Sequence, residues 1–243
     1  MVIEAATGLV VRASDWSETS RIVTLFTREW GKIRALAKGS RRLRSHFEMA
    51  LDLLTICHVM VIRKSHGGLD LLTEARVERR FAILRQNLNA LYVGYYLAEL
   101  LTEGTQDYDP HPALYDAAVL ILESLERGRH PRLAATEFEL AWLREVGYSP
   151  HLESCIICGG SVEGEEVVWS PASGGVVCPR CRNRVREGTR LSSQSWLWLR
   201  HTLQGETSAF TAPPPQDVRQ ALGLAVTQVL GRRPKMLRFV DGQ

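Results

Sequence analysis

The chain has no long apolar run. Its longest uncharged stretches, Gln86–Ala98 and Val167–Pro179, have 13 residues each, short of the roughly 20 that a membrane-spanning helix needs. Asn87 and Asn89 interrupt the first, and Pro171, Gly174 and Gly175 the second. The opening MVIEAATG carries Glu4 and no basic segment, so it does not read as a signal peptide, and a cytoplasmic, nucleoid-associated protein is the expectation. Catalytic signatures are missing as well: there is no G-x-x-x-x-G-K-[ST], no H-E-x-x-H, no G-x-S-x-G and no strand-linked G-x-G-x-x-G. The seven histidines do not cluster, and His111 and His130 each precede a proline at an expected helix start. The scattered carboxylates suggest neither an acid–base pair nor the acidic metal cluster of a nuclease. A binding protein is therefore expected, not an enzyme.

Lysine is scarce. Only Lys32, Lys38, Lys64 and Lys235 stand among 30 basic residues; the other 26 are arginine, whose planar fork suits phosphates and stacked bases. GC-rich codon usage would give the same bias. The formal net charge of +3 is small but unevenly spread. Residues 1–75 carry 11 basic and 8 acidic groups, 76–150 carry 8 and 11, and 151–243 carry 11 and 8, so two basic parts flank an acidic middle.

Cysteine is sparse and odd in number. Five thiols cannot all pair, and a chain of 243 residues is not a small secreted scaffold. Four of them, Cys155-x-x-Cys158 and Cys178-x-x-Cys181, form two C-x2-C pairs nineteen residues apart, the spacing of a closed, structural four-thiolate zinc site. One zinc ion per chain is expected. Gly159-Gly160 and Gly174-Gly175 lie where the backbone of such knuckles must be permissive. Reduced core thiols without metal, or a redox C-x-x-C, fit the paired spacing less well. Cys57, alone in an apolar run, reads as a buried hydrophobe. Arg180, Arg182, Arg184 and Arg186 crowd the second knuckle; they can balance the net −2 of four thiolates on zinc or contact nucleic acid, and the sequence does not choose.

The expected fold is α+β and multidomain. Residues 1–76 alternate short β-branched runs with turn signals, with candidate strands at Gly8–Ala13, Arg21–Thr27, Lys32–Lys38, Leu51–Ile62 and Leu69–Glu74. Five such strands allow an OB-type or an SH3-like barrel. From Val77 a helical period is read through Phe81, Leu84, Leu88, Leu91, Tyr92 and Tyr95. Residues 77–150 are the first part of a helical domain, with further helices from Pro112 to Gly128 and from Pro131 to Gly147. Residues 151–190 form the cysteine module. Residues 191–243 add helices packing with the helical domain: one capped at Ser192 or Ser193, another from Asp217 to Gly231.

Between Lys32 and Arg44 stand six basic residues and no acidic one: Lys32, Arg34, Lys38, Arg41, Arg42 and Arg44. Strand alternation puts Ile33, Ala35 and Ala37 inward and Lys32, Arg34, Leu36 and Lys38 on the outer face. The loop Arg41–Ser45 adds three guanidiniums, making a surface that can follow a phosphate backbone. A solvated basic loop without a partner is the competing reading. Trp16, Phe26, Trp30 and Phe47 are candidate stacking platforms, each more simply explained as core.

These motifs together resemble the RecO family of bacterial DNA repair proteins. The resemblance rests on GLVVRASDWSETSRIVTLFTREWGKIRALAKGSRR at 8–42, FELAWLREVGYSPHLESCIICGG at 138–160 and GGVVCPRC at 174–181. The chain departs from the family pattern at Ser17–Arg21 and at Leu51–Leu54. The resemblance implies an N-terminal OB-fold, a central helical domain and a zinc module. It also implies a recombination mediator that binds single- and double-stranded DNA, anneals complementary strands, and acts with RecR. Contact with the C-terminal tail of single-stranded DNA-binding protein (SSB), and help in loading RecA, follow from the same likeness. Its basic segment falls on Ala37, Lys38, Gly39, Ser40 and Arg41. A zinc-stabilised protein-interaction scaffold with incidental DNA affinity is the alternative.

Overall fold

A computed structural model describes residues 3–42, 45, 47, 49–64, 68–162, 166–205 and 211–242. The chain divides into two compact units, Met1–Glu126 and Arg127–Gln243. The division falls inside the stretch 77–150 that the sequence reads as one part of a helical domain.

In the first unit, β1 (Ile3–Asp15), β2 (Arg21–Thr27), β3 (Gly31–Ala37), β4 (Thr55–Ile62) and β5 (Asp70–Arg80) close a barrel in the order β1-β2-β3-β5-β4. Neighbours are antiparallel except β3 and β5, which run parallel. This is the OB-type arrangement of the two that the sequence allowed. The register of β1 shifts between Val10 and Arg12, a bulge that bends the strand so that it can pair with β2 and β4 at once. Alternation fills the interior: Val10, Val23, Leu25, Ile33, Ala35, Ala37, Val59, Val61 and Leu72 are buried together, with Cys57 among them.

The helix expected from Val77 is not there. β5 continues to Arg80, because Arg79 and Arg80 pair with Ile56 and Thr55 of β4. A 3-10 turn, Ala82–Gln86, follows, and α1 (Leu88–Glu103) starts only where the Asn87 side chain accepts the Ala90 amide. The buried face of α1 is Val93, Tyr96, Leu97, Leu100 and Leu101 rather than the stripe through Leu88 and Leu91; Leu88 is exposed. α2 (Pro112–Glu126) completes this unit.

The second unit holds α3 (Pro131–Glu145), the cysteine module, α4 (Ser193–Leu203), α5 (Gln216–Leu230) and α6 (Leu237–Asp241), a short helix the sequence reading missed. The module is a three-stranded sheet ordered β7-β6-β8, from β6 (Val167–Ser170), β7 (Gly175–Val177) and β8 (Thr189–Leu191). Ser192 caps α4, as expected, and Gly231 closes α5 in the left-handed conformation. The Trp196 indole N–H of α4 donates to the Leu152 carbonyl at 2.9 Å, fastening the module to the helices. The Arg219 guanidinium of α5, buried with Glu139 of α3, also reaches Thr136 Oγ1 and Asp241 Oδ1 at 3.0 Å each. Among the described residues no helix is long and apolar enough to cross a membrane.

Candidate nucleic-acid interface and metal centre

The outer face of β3 is not the row of free charges that alternation suggests. Lys32 is buried, and its ammonium donates to the Thr102 and Thr105 carbonyls at 2.7 and 2.6 Å, with Asp107 Oδ1 at 3.3 Å. It thereby satisfies carbonyls around the C-terminal end of α1, where a cation is favoured. The same Asp107 accepts from Arg34 Nε at 3.0 Å. The segment bearing Asp107 can lie against β3 because residue 31 is glycine. Its φ is +68°, and a Cβ there would come within 1.9 Å of the Asp109 carbonyl oxygen. Lys32 is thus turned into structure, and Arg34 is half-neutralised.

The charges that remain outward are in the loop. Lys38 and Arg42 are exposed and carry no ion pair among the described residues. Arg41 donates to the Ser17 carbonyl at 2.8 Å and pairs with Asp15 at 3.3 Å, and its amide donates to the Thr19 carbonyl at 3.1 Å. These bonds tie the basic loop to the β1–β2 hairpin. Arg44 lies outside the described residues.

The hairpin supplies two residues that the sequence reading undervalued. Trp16 is 62% exposed, between the two residues, Asp15 and Ser17, that hold Arg41. A tryptophan in a tight turn has no strand face on which to be buried, and that was the available signal. Phe26 and Phe47 are core, and Trp30 is partly buried against it. Arg21, at the start of β2, is partly exposed and pairs with Asp15 at 3.2 Å. Together Arg21, Ser40, Arg41, Arg42 and Ser45 line a pocket of about 290 Å³. The Ser40 hydroxyl is buried without a hydrogen-bond partner among the described residues. Asp15, which pairs with both Arg21 and Arg41, partly offsets the positive charge.

Beside this pocket, sharing Arg21, Leu51 and Asp52 with it, is a cleft of about 860 Å³. Leu53, Leu54, Phe81 and Leu84 line it, with Arg80 and Arg85. The Nε of Arg80 is buried without a partner among the described residues.

The four cysteines come together as their spacing requires. Their sulfurs lie within 4.8 Å of one another, and Cys158 and Cys178 are 3.8 Å apart. Four sulfurs about 2.3 Å from one zinc are separated by about 3.8 Å at the corners of a tetrahedron. The first knuckle is pinned to β7, since the Ile156 amide donates to the Val176 carbonyl at 2.9 Å and the Cys178 amide to Cys155 Sγ at 3.3 Å. Gly159, at φ +69°, turns the chain so that its amide reaches the Cys155 carbonyl. Gly174 serves elsewhere, in the turn between β6 and β7. Burial opposes ionisation of Cys155, yet amide donors from Cys178, Cys158 and Ile157 bring its pKa down to about 6. Burial and the neighbouring sulfurs push Cys181 up to about 12. The set suits a divalent cation that takes the thiolates together. Burial above all pushes Cys57 up to about 12, and it lies apart in the barrel core.

Comparison with known proteins now decides the lineage. The family profile "Recombination protein O N terminal" matches residues 1–81, ending one residue beyond β5, and "Recombination protein O C terminal" matches residues 85–238. The chain belongs to the RecO family. It is 40% identical to the DNA repair protein RecO of Rhodopirellula baltica over 265 aligned residues, covering 96% of this chain and 97% of that protein. It is 35% identical to the RecO of Anaeromyxobacter sp. strain K, covering 97% and 94%, and 33% identical to that of Myxococcus xanthus, covering 96% and 95%. The OB-type barrel, the helical remainder and the cysteine module of this RecO-family chain are in line with that membership.

Proposed function

We propose that the barrel binds single-stranded nucleic acid through the β1–β2 hairpin and the basic loop after β3. The observation that carries this reading is the Arg21–Arg41–Arg42 pocket beside the exposed Trp16. Guanidiniums would hold a phosphate bidentately, and the indole would stack on a base. Lys38 extends the positive track. Duplex DNA would use the phosphate contacts without the stacking.

Four charges, Arg21, Lys38, Arg41 and Arg42, touching a single strand give a slope of log K against log[salt] near −3. Reversing Arg41 and Arg42 to Glu should flatten the slope by about 1.4 and weaken binding. A slope and affinity unchanged by that double reversal would sink the assignment.

One structural zinc per chain, held by Cys155, Cys158, Cys178 and Cys181, would cross-link the knuckles and leave no position open for water. Annealing of complementary strands, action with RecR, contact with the SSB tail, help in RecA loading, and a cytoplasmic, nucleoid-associated location without catalytic activity are supported by family membership. The cleft offers a second reading, a docking site for a protein partner. Its apolar lining and the Arg80 side chain at its wall fit an acidic peptide with apolar residues, such as the SSB tail. Anisotropy of a labelled tail peptide tests this: Arg80→Met should weaken binding severalfold, and an unchanged affinity would remove the cleft from consideration.

A further inference from the structure

Many arginines of this chain are held by a carboxylate. Arg12, Arg21, Arg28, Arg34, Arg41, Arg63, Arg76, Arg79, Arg85, Arg129, Arg200 and Arg219 each have one within 4.0 Å. The cysteine module breaks the habit. Arg180, Arg182, Arg184, Arg186 and Arg190 are all exposed, and none has an ion pair or a hydrogen-bonded side-chain partner among the described residues. They occupy one continuous stretch, from the second knuckle through the 3-10 turn Arg182–Arg184 to β8. Glu187 is its only acidic residue.

Balancing the metal does not account for them. Four thiolates on a divalent ion carry a net −2; with Glu187 that makes −3 against five guanidiniums, a surplus of two positive charges. The geometry gives the balancing role to one arginine in particular. A Cβ placed on Gly160 would lie 3.4 Å from Cys158 Sγ and 3.5 Å from Arg180 Nη2, so this guanidinium and the knuckle sulfur flank the same glycine. Arg184, Arg186 and Arg190 come later in the chain, beyond the second knuckle. An exposed arginine gains little by remaining unpaired unless an anion outside the chain visits it, and planar forks repeated along a strip suit a phosphodiester backbone.

We infer that the cysteine module carries a second nucleic-acid site, separate from the one in the barrel unit, so that one chain holds two strand segments at once. This rests on the barrel reading for its first segment. It supplies what bringing complementary strands together requires: both strands bound to the same protein before they pair. The metal's part is architectural, since the knuckle fixes the path of the backbone from which the arginines project.

The test uses the full chain with its metal and a short fluorescein-labelled oligothymidylate at low salt, together with energy transfer between two differently labelled, non-complementary oligonucleotides. The parent is expected to take two oligonucleotides per chain and to give transfer. Arg184→Glu combined with Arg186→Glu should leave one, abolish transfer and flatten the salt slope of the lost site by about 1.4, with circular dichroism and zinc content unchanged. Arg186→Gln with Arg190→Gln should weaken the same site severalfold without reversing charge, which guards against a local folding defect. Stoichiometry and transfer unchanged in both variants would overturn the inference. So would displacement of an acidic polypeptide such as polyglutamate, with no change in oligonucleotide binding, which would make the patch a protein site. If Arg41→Glu with Arg42→Glu changes nothing while the module variant loses oligonucleotide binding, the barrel reading fails and the module site stands.

Discussion

Replacing Lys32 by Met separates a structural cation from a DNA-contacting one. The side chain is 11% exposed, and its ammonium makes two short bonds, 2.7 Å to Thr102 and 2.6 Å to Thr105, plus the pair with Asp107. Methionine keeps the length of the stem but leaves two carbonyls near the end of α1 without their donor, each costing about 1–3 kcal/mol. The Asp107 contribution is discounted, because that carboxylate is 37% exposed and keeps Arg34. Relief from burying an ammonium offsets part of the loss. The net expectation is a destabilisation of about 3 kcal/mol, comparable to breaking a buried pair, or a fall in Tm of about 10 °C. Calorimetry on the full chain reads it, alongside oligonucleotide anisotropy at a temperature where both proteins are folded. There the DNA affinity should stay near the parent's. Arg42→Ala should do the reverse, with stability changed by less than about 0.5 kcal/mol and DNA binding weakened. A Lys32→Met protein as stable as the parent but deficient in DNA binding would show that the ammonium points to the ligand, refuting the assignment to the helix end.

Three further perturbations reach other parts of the molecule. Asp15→Asn frees Arg21 and Arg41, 3.2 and 3.3 Å away, and should tighten oligonucleotide binding about threefold at low salt with stability within about 0.5 kcal/mol; weaker binding would count against the pocket. At pH 8, chelation without denaturant should expose four thiols to a thiolate-seeking reagent. Cys57, whose pKa burial pushes up to about 12, has little thiolate at that pH and should appear only on unfolding; five reactive thiols at once would contradict its place in the core. Arg219→Met strips Glu139, which is fully buried, of its partner, and should cost about 3–5 kcal/mol by urea titration, a prediction that a midpoint close to the parent's would defeat.

Patterns that depend on near neighbours in the chain were readable from the sequence. The two C-x2-C pairs specify a four-sulfur cluster because the knuckle is local, and Ser192, Pro112, Pro131 and Gly231 mark helix ends because caps are local. The change from strand to helix near Val77 was not readable. Val77, Phe81 and Leu84 have helical spacing, yet Arg79 and Arg80 find partners in β4, more than twenty residues earlier, and long-range pairing overrode the period. Lys32 was misread for the same kind of reason. Alternation correctly put its side chain on the outside of the barrel, but only the fold shows that the loop after α1 covers that outside.

The same distinction bears on the charge. A formal +3 hides 30 basic side chains, and counting those near Lys32–Arg44 cannot tell which are free. Pairing decides. Lys32 and Arg34 share Asp107, and Arg21 and Arg41 share Asp15, whereas Lys38 and Arg42 have no ion pair among the described residues. An internal carboxylate competes with a phosphate for the same guanidinium, so an arginine already held has less to gain from DNA than a free one. The order of effects on DNA affinity should therefore follow pairing and not position in the basic run: Arg42 and Lys38 to Ala largest, Arg41 intermediate, Arg34 small. A flat series across these four would mean that the loop acts only through its total charge, and that the pocket does not select a phosphate.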